Sequence, residues 1–375
     1  MPPRDREVFD HEPYSTGRRA IMPAQPERLL SLQATCGVAA LMVVIFHAAR
    51  SMSLPQYYGR VALDGVFQFG HAGVDFFFVL SGFIITHVHY ADLGRPDRLR
   101  RYAWRRFTRI FPIYWAVTLL YAVVGLASPD AAQRLSPPNL LESATLLPLG
   151  YETLVPVAWT LEHELLFYAV FGLAIVKRAW AAPLAALGVA AVAAGQIFPD
   201  ALSWAGFLTT PFHLQFLLGI TVARSVALGR FRRPALAVGL GLVLFGLAAV
   251  LDVRGIIAVN QITTALLYGI GSAAILAGLA TAEAAGRLRF GHIAELFGGA
   301  SYVLYLIHPL TVGLTVRAIA WSGAMAAMPP WSVVIVQVAV SLAVAVWIHR
   351  SVEQPLMMRV RQFERTILAR RSARD

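Results

Sequence analysis

The sequence predicts an all-α protein, a polytopic membrane bundle of about ten transmembrane helices with both termini in the cytoplasm. Hydrophobic residues make up 57% of the chain and charged residues only 14%, and the mean hydropathy is +0.61. This composition is typical of multi-pass membrane proteins. A spanning helix needs about 20 mostly apolar residues. Runs of that kind lie near 30–49, 72–90, 108–127, 158–176, 179–197, 204–223, 234–251, 261–281, 297–319 and 331–349.

The basic residues predict how these helices are oriented. All but five of the 32 lysine and arginine residues lie in the two tails or in every second loop, as expected for cytoplasmic segments. The exceptions are Arg50, Arg60, Arg134, Arg254 and Arg317. The net charge of +11 is therefore interpreted as orienting charge, and no nucleic-acid partner is expected. Segments 1–21 and 353–375 are expected to be polar cytoplasmic tails that flank a transmembrane domain over residues 22–352.

The first apolar run, residues 29–50, carries two side chains of chemical interest. Cys36 and His47 are eleven residues apart, so on a helix they share a face and lie about 16 Å apart along its axis. An ionisable residue inside a spanning helix indicates a functional site. The alternative is that His47 only extends to the membrane interface. A single cysteine excludes an intramolecular disulfide, and the sequence contains no metal-binding motif.

Three polar residues are expected near the outer face: His47, Asp75 and Glu164. A histidine can take a proton from a hydroxyl near neutral pH, and a carboxylate can orient the imidazole and stabilise its charged form. The pattern suits O-acylation of a sugar hydroxyl, and the sequence does not choose between the two carboxylates. The alternative is that they pair structurally, with Arg50 or with each other.

Three arginines are expected at the cytoplasmic start of the third helix: Arg105, Arg106 and Arg109. Arg106 and Arg109 are three residues apart and so share a helix face. Guanidinium groups suit phosphate oxygens, so the cluster could hold a coenzyme that carries a pyrophosphate. The alternative is that these arginines only satisfy the positive-inside rule.

Two further helices carry polar stripes. In the ninth helix, Ser301, Tyr305 and His308 share one face, which either joins helices or lines a cavity. In the fourth helix, Trp159, Thr160, Phe167 and Tyr168 form either a rim on which a sugar stacks or an ordinary interfacial belt.

Four stretches of the chain together resemble the acyltransferase-3 family of bacterial membrane acyltransferases, in particular its exopolysaccharide-production branch. They read LQATCGVAALMVVIFHA, GHAGVDFFFVLSGFII, RRFTRIFPIYW with VAWTLEHELLFY, and GASYVLYLIHP with SVEQPL. The resemblance spans about residues 29–356. It implies a multi-pass protein of the bacterial inner membrane. Such a protein transfers an acyl group, usually acetyl, from cytoplasmic acyl-CoA to a hydroxyl of an envelope polysaccharide or lipid-linked sugar. Acetyl-CoA would be a co-substrate, with no permanently bound cofactor, and membrane lipid would surround the protein.

The resemblance also implies roles for individual residues. Its motif positions are His47 in the first helix, Arg106 and Arg109 in the third, Trp159, Thr160, Leu161 and Glu164 in the fourth, and Ser301, Tyr302, Tyr305 and His308 in the ninth. Three positions depart from the family pattern, each by loss of a charge. Cys36 replaces arginine or lysine, Gln215 replaces glutamate, and Gly299 replaces aspartate.

These observations together predict a divided site. Arg105, Arg106 and Arg109 hold the acyl-CoA phosphates, and the acyl arm extends past Ser81 and Gly82, between the first, second and ninth helices. His47, aided by Asp75 or Glu164, deprotonates the acceptor. Cys36, Trp159, Thr160, Tyr168, Ser301, Tyr302, Tyr305 and His308 are expected to line the cavity. Two alternatives are a non-catalytic transporter or flippase of lipid-linked sugars, and an inactive relative of the family.

Overall fold

The computed structural model describes residues 29–128, 130–257, 261–360 and 362. Over these residues the chain is helical and without strands, and ten helices are long and apolar enough to cross a membrane, which confirms the predicted all-α bundle of about ten transmembrane helices. We number them α1 (Leu30–Ser51), α2 (Gly73–His89), α3 (Leu99–Gly125), α4 (Trp159–Val176), α5 (Ala181–Ile197), α6 (Phe212–Ala227), α7 (Pro234–Val253), α8 (Ile262–Ala284), α9 (His292–Trp321) and α10 (Pro330–Ile348).

Several helix ends differ from the sequence-based expectation. Helix α3 begins at Leu99, so the arginine cluster lies inside the helix and not just before it. The sixth span is interrupted: a helical turn over Gly206–Thr209 ends before Pro211, and α6 begins at Phe212. Helix α10 continues through a π-helical turn, His349–Glu353, and remains helical to residue 360. The predicted tail over 353–375 is thus helical at its start. Its remainder, apart from residue 362, and the predicted tail 1–21 lie outside the described residues.

Helices α1 and α2 form the centre of the bundle. The largest apolar cluster joins them to α3, α4 and α9, with Val44, Phe78, Ile113, Phe171 and Leu306 among its members. A second cluster joins the same two helices to α6 and α8. By contrast, α5 and α7 bury little of their surface within the protein and expose apolar side chains, as expected for helices that face lipid.

Glycines permit the closest helix contact near the centre. A Cβ atom added at Gly82 in α2 would lie 2.2 Å from the carbonyl oxygen of Phe216, and one added at Gly219 in α6 would lie 2.0 Å from that of Val79. Small residues allow such backbone approach in membrane bundles. Gly82 thus packs α2 against α6, and its predicted contact with the acyl arm stays a prediction.

Candidate active site: an arginine cavity and a histidine cavity

Two cavities open at different depths along α1. Cys36 lines the first, together with Arg106 and Arg109, and we call it the arginine cavity. His47 lines the second, which we call the histidine cavity. Their volumes are about 140 Å³ and about 800 Å³, respectively. Cys36 and His47, which were predicted to share a face of α1, therefore line separate cavities.

Arg106 is held at the arginine cavity by a chain of hydrogen bonds. His89 Nδ1 donates to Asp92 Oδ2 at 2.8 Å, which leaves His89 Nε2 to accept from Arg106 Nη2 at 3.3 Å. The guanidinium also lies over the ring of Tyr168, 5.4 Å from its centroid. Because these contacts involve neutral or aromatic partners, the positive charge of Arg106 remains available to an anion.

Arg109 reaches the same cavity from one turn further along α3. Its guanidinium lies 5.4 Å from the ring centroid of Tyr302, and its Nη1 is 3.9 Å from Glu353 Oε1. Glu353 accepts a 2.6 Å hydrogen bond from His349 Nδ1, so the π-helical turn after α10 fixes this carboxylate beside α3. Arg105, the third predicted arginine, is not among the residues that line the cavity.

Glu164 lies in the arginine cavity, which corrects its predicted place beside His47. Its carboxylate accepts hydrogen bonds from Ser81 Oγ at 3.1 Å and from the hydroxyl of Tyr168. The reason is helical periodicity: residues 160, 164 and 168 share one face of α4. Residues 159 and 163 lie on a neighbouring face, and both line the histidine cavity.

Most of the other predicted lining residues divide between the two cavities, but His308 lines neither. Cys36, Ser81, Thr160, Ser301 and Tyr302 line the arginine cavity. The hydroxyl of Tyr302 donates to the carbonyl oxygen of Ile110 at 3.0 Å, which ties α9 to α3. Trp159 lines the histidine cavity, with its ring 5.5 Å from that of Phe212.

Next to the histidine cavity, the fully buried His308 lies beside His47. Pro309 has no N–H to donate to the carbonyl of Tyr305, four residues earlier, and His308 Nδ1 donates to that oxygen instead, at 2.7 Å. Nitrogen Nε2 of His308 must then accept, and it lies 3.3 Å from His47 Nδ1. The N–H at Nδ1 of His47 is shared between this nitrogen and the carbonyl of Val43, at 2.9 Å. His47 therefore keeps its lone pair on Nε2, the tautomer a base requires.

Asp75 also lines the histidine cavity, but neither predicted carboxylate hydrogen-bonds His47 in the described part of the chain. Asp75 Oδ1 instead accepts a 2.5 Å hydrogen bond from Gln215 Nε2. This contact explains one departure from the family pattern. A glutamate at position 215 would place two carboxylates together inside the bundle, whereas the glutamine amide donates to Asp75.

The structure adds a polar cluster that the sequence analysis did not single out. His71 lines the histidine cavity, and its Nε2 lies 2.6 Å from Asp252 Oδ2. The hydroxyl of Tyr268 donates to the same oxygen at 2.9 Å. The sequence offered one indication of this cluster, the carboxylate of Asp252 in an otherwise apolar helix. An acidic side chain inside the membrane usually has a partner.

Tyr305 and Val74 line both cavities and so form the wall between them. The hydroxyl of Tyr305 bonds Thr160 Oγ1 at 3.0 Å, and Thr160 in turn donates to the carbonyl of Val157 at 3.0 Å. Since Tyr305 is fixed by hydrogen bonds to α4, the wall belongs to both α9 and α4. Among the described residues, no cluster of three or more metal-ligating side chains is found.

Comparison with known proteins shows which class of protein has this sequence. The family model Acyl_transf_3, an acyltransferase domain, matches residues 31–350. The exopolysaccharide production protein ExoZ of Rhizobium meliloti is 32% identical over 67% of this chain and 80% of its own. The acyltransferase MdmB of Streptomyces mycarofaciens is 26% identical over 90% of this chain and 93% of its own.

Protein 2 in the picA locus of Rhizobium radiobacter is 32% identical over 39% of this chain and 82% of its own. No solved structure matches the chain significantly. The fold and the comparisons define a multi-pass membrane acyltransferase. The chain belongs to the acyltransferase-3 family, as the motifs predicted.

Proposed function

We propose that the protein is an O-acyltransferase of the bacterial inner membrane. It transfers an acetyl group from cytoplasmic acetyl-CoA to a hydroxyl of an envelope polysaccharide or lipid-linked sugar. The observation that carries this proposal is the pair of cavities, one lined by arginines and one by histidines, with Tyr305 as their common wall. In the proposed orientation both termini and the mouth of the arginine cavity face the cytoplasm, in agreement with the loop charges. The name of the relative ExoZ supports an exopolysaccharide acceptor.

On the donor side, Arg106 and Arg109 bind the coenzyme phosphates. Arginine pairs with phosphate by parallel hydrogen bonds, and both guanidiniums line the same cavity. The thioester arm extends past Cys36 and Ser81 towards Tyr305. Acetyl-CoA is a co-substrate in this scheme and leaves as CoA, so no cofactor is bound permanently.

On the acceptor side, Nε2 of His47 takes the proton of the acceptor hydroxyl. The oxygen attacks the thioester carbonyl carbon, the carbon–sulfur bond breaks, and the leaving thiolate takes the proton from His47, which returns to its neutral form. Val43 and His308 fix the tautomer of His47. Asp75 lies in the same cavity, and its negative charge favours the imidazolium that forms. For donor and acceptor to meet, the thioester must reach the wall formed by Val74 and Tyr305.

Replacing His47 tests the assignment. In membranes that contain the full chain, His47→Ala should lower acetyl transfer to envelope glycan at least about 100-fold, because general-base catalysis contributes 10²–10⁴-fold. His292→Ala is the matched control, since the side chain of His292 is 80% exposed at the start of α9 and should leave transfer unchanged. Undiminished transfer by His47→Ala would exclude His47 as the base.

Coenzyme binding separates this function from its alternatives. The histidine cavity, at about 800 Å³, is large enough to suit a transporter of sugars, which would need no acyl donor. Acetyl-CoA should raise the thermal unfolding midpoint of the purified enzyme, because a ligand that binds only the folded state stabilises it. A transporter or flippase should not respond. An inactive relative could bind the coenzyme but would transfer nothing.

A further inference from the structure

Three imidazoles line the histidine cavity, those of His47, His71 and His163, and the residue roles implied by the family resemblance include only the first. His71 comes from the 3-10 helix Ala62–Ala72, just before α2, and His47 from α1. Both rings lie against Phe46, with centroids 5.8 Å and 5.0 Å from its own. Both line the cavity, so one ligand bound there can contact both.

Three elements converge to orient His71. Asp252 lies in the last turn of α7 and Tyr268 in α8, and both His71 Nε2 and the Tyr268 hydroxyl bond the same carboxylate oxygen. The side chains of His71 and Asp252 are 13% and 7% exposed. Because Nε2 donates to Asp252, the hydrogen-bond acceptor of a neutral His71 is Nδ1. This nitrogen has no hydrogen-bond partner within the part of the chain that the structure describes.

We propose that His71, oriented by Asp252, is an acceptor-specificity residue: its Nδ1 accepts a hydrogen bond from a second hydroxyl of the acceptor while His47 deprotonates the first. The proposal rests on the function proposed above. It assigns the histidine cavity to a ligand with at least two hydroxyls, as on one sugar ring, and makes His71 determine which hydroxyl faces His47. A site built to hydrogen-bond a substrate hydroxyl discriminates strongly against a ligand that lacks it.

A purely structural role would also explain the cluster, since it ties α7 and α8 to the segment before α2. His71→Gln separates the two roles. The glutamine amide can still donate to Asp252 in place of Nε2, but it offers no acceptor where Nδ1 was. His71→Asn is the complementary variant, because its side-chain oxygen lies near the former Nδ1 position. Asp252→Asn keeps the shape of the carboxylate but lets its amide donate to His71, which moves the imidazole proton to Nδ1.

The test measures the amount and position of O-acyl groups by NMR, on polysaccharide from exopolysaccharide-producing cells that express each full-length variant. We expect His71→Gln and Asp252→Asn to lower acylation at the wild-type position about tenfold or more, or to spread it over several hydroxyls. His71→Asn should restore part of the selectivity. Protein level in membranes and the unfolding midpoint of purified protein should stay near wild type.

Each other outcome is decisive. If the wild-type protein adds no acyl groups, the proposed function fails and this proposal with it. If the wild-type protein acylates, and His71→Gln and Asp252→Asn give the same amount and position, only the role of His71 is overturned. A loss of acylation that follows a loss of folded protein would assign the cluster a structural role. A loss of rate without a change of position, with a shifted pH profile, would assign proton abstraction to His71 and also overturn the proposal.

Discussion

Arg106 and Arg109 line the same cavity and are held there by different contacts, whereas their neighbour Arg105 does not line it. We therefore expect substitutions of the three arginines to differ in their effect on acetyl-CoA binding. A charge-assisted hydrogen bond contributes about 1.5–3 kcal/mol, so Arg106→Gln or Arg109→Gln should weaken acetyl-CoA binding about 10–100-fold. Arg105→Gln removes the same charge from the same helix and should change affinity less than about threefold. Titration of the purified variants with acetyl-CoA, followed by unfolding midpoint, measures the effect.

Equal losses from all three substitutions would show that only the summed charge matters. That result would favour the alternative that these arginines only orient the helix at the membrane surface.

Cys36 offers a second test at the residue scale, without any substitution. It is the only cysteine of the chain and lines the arginine cavity beside Arg109. A coenzyme arm in that cavity should shield the thiol, so saturating acetyl-CoA should slow maleimide labelling of Cys36 about tenfold or more, following the occupied fraction. Mass spectrometry of the labelled protein gives the rate. Labelling that is equally fast with and without acetyl-CoA would place the donor elsewhere.

Glu164 shows what the sequence could and could not predict about single residues. Its depth in the membrane was inferred from its distance along α4, and that inference placed it with His47. The direction in which its side chain points depends on its position around the helix, and residues 160, 164 and 168 face the arginine cavity together. That shared face could have been predicted from the spacing of these residues in the sequence. By contrast, the contact between His71 and Asp252 joins residues 181 positions apart and depends on the tertiary packing of α7.

At the scale of helices, the contact between α2 and α6 depends on two glycines. A Cβ at Gly82 would lie 2.2 Å from a backbone oxygen of α6, and backbone atoms cannot move aside as a flexible side chain can. Gly82→Ala should therefore destabilise the protein by about 1–3 kcal/mol, the usual cost of overpacking. The unfolding midpoint in detergent and the yield from membranes report the change.

Gly188 provides the matched control for this substitution. It lies within α5, and a Cβ added there meets no heavy atom within 4 Å. Gly188→Ala should leave the unfolding midpoint unchanged or slightly raise it, because alanine favours a helix more than glycine does. Equal effects of the two substitutions would contradict the close contact between α2 and α6.

For the whole molecule, the proposed orientation predicts which loops are accessible from each side. In a Cys36→Ser background, Arg60→Cys and Arg230→Cys place one thiol each at exposed positions, separated by helices α2 to α6. A membrane-impermeant maleimide should label Arg60→Cys in intact spheroplasts, and Arg230→Cys only after the membrane is opened. The unsubstituted Cys36→Ser protein is the control.

The opposite labelling pattern would invert the proposed orientation, and labelling of both positions from one side would contradict an odd number of crossings between them.

The number of helices could be predicted from the sequence because each crossing needs its own apolar run. The start of α6 carried a sequence signal, because Pro211 lies inside the predicted run and proline interrupts a helix. The start of α3 could not be predicted, since it depends on where an arginine-rich turn packs.

Gly299 leaves room for the imidazole of His349 at the turn that follows α10. A Cβ at that position would lie 2.8 Å from Nε2 of His349, so the imidazole takes up the room that an aspartate would need. A side chain at position 299 therefore requires the imidazole of His349 to turn away, which would disturb its hydrogen bonds with Glu353 and Gln354. Because Glu353 lies beside Arg109, a substitution at this position would reach the arginine cavity through two intermediate side chains.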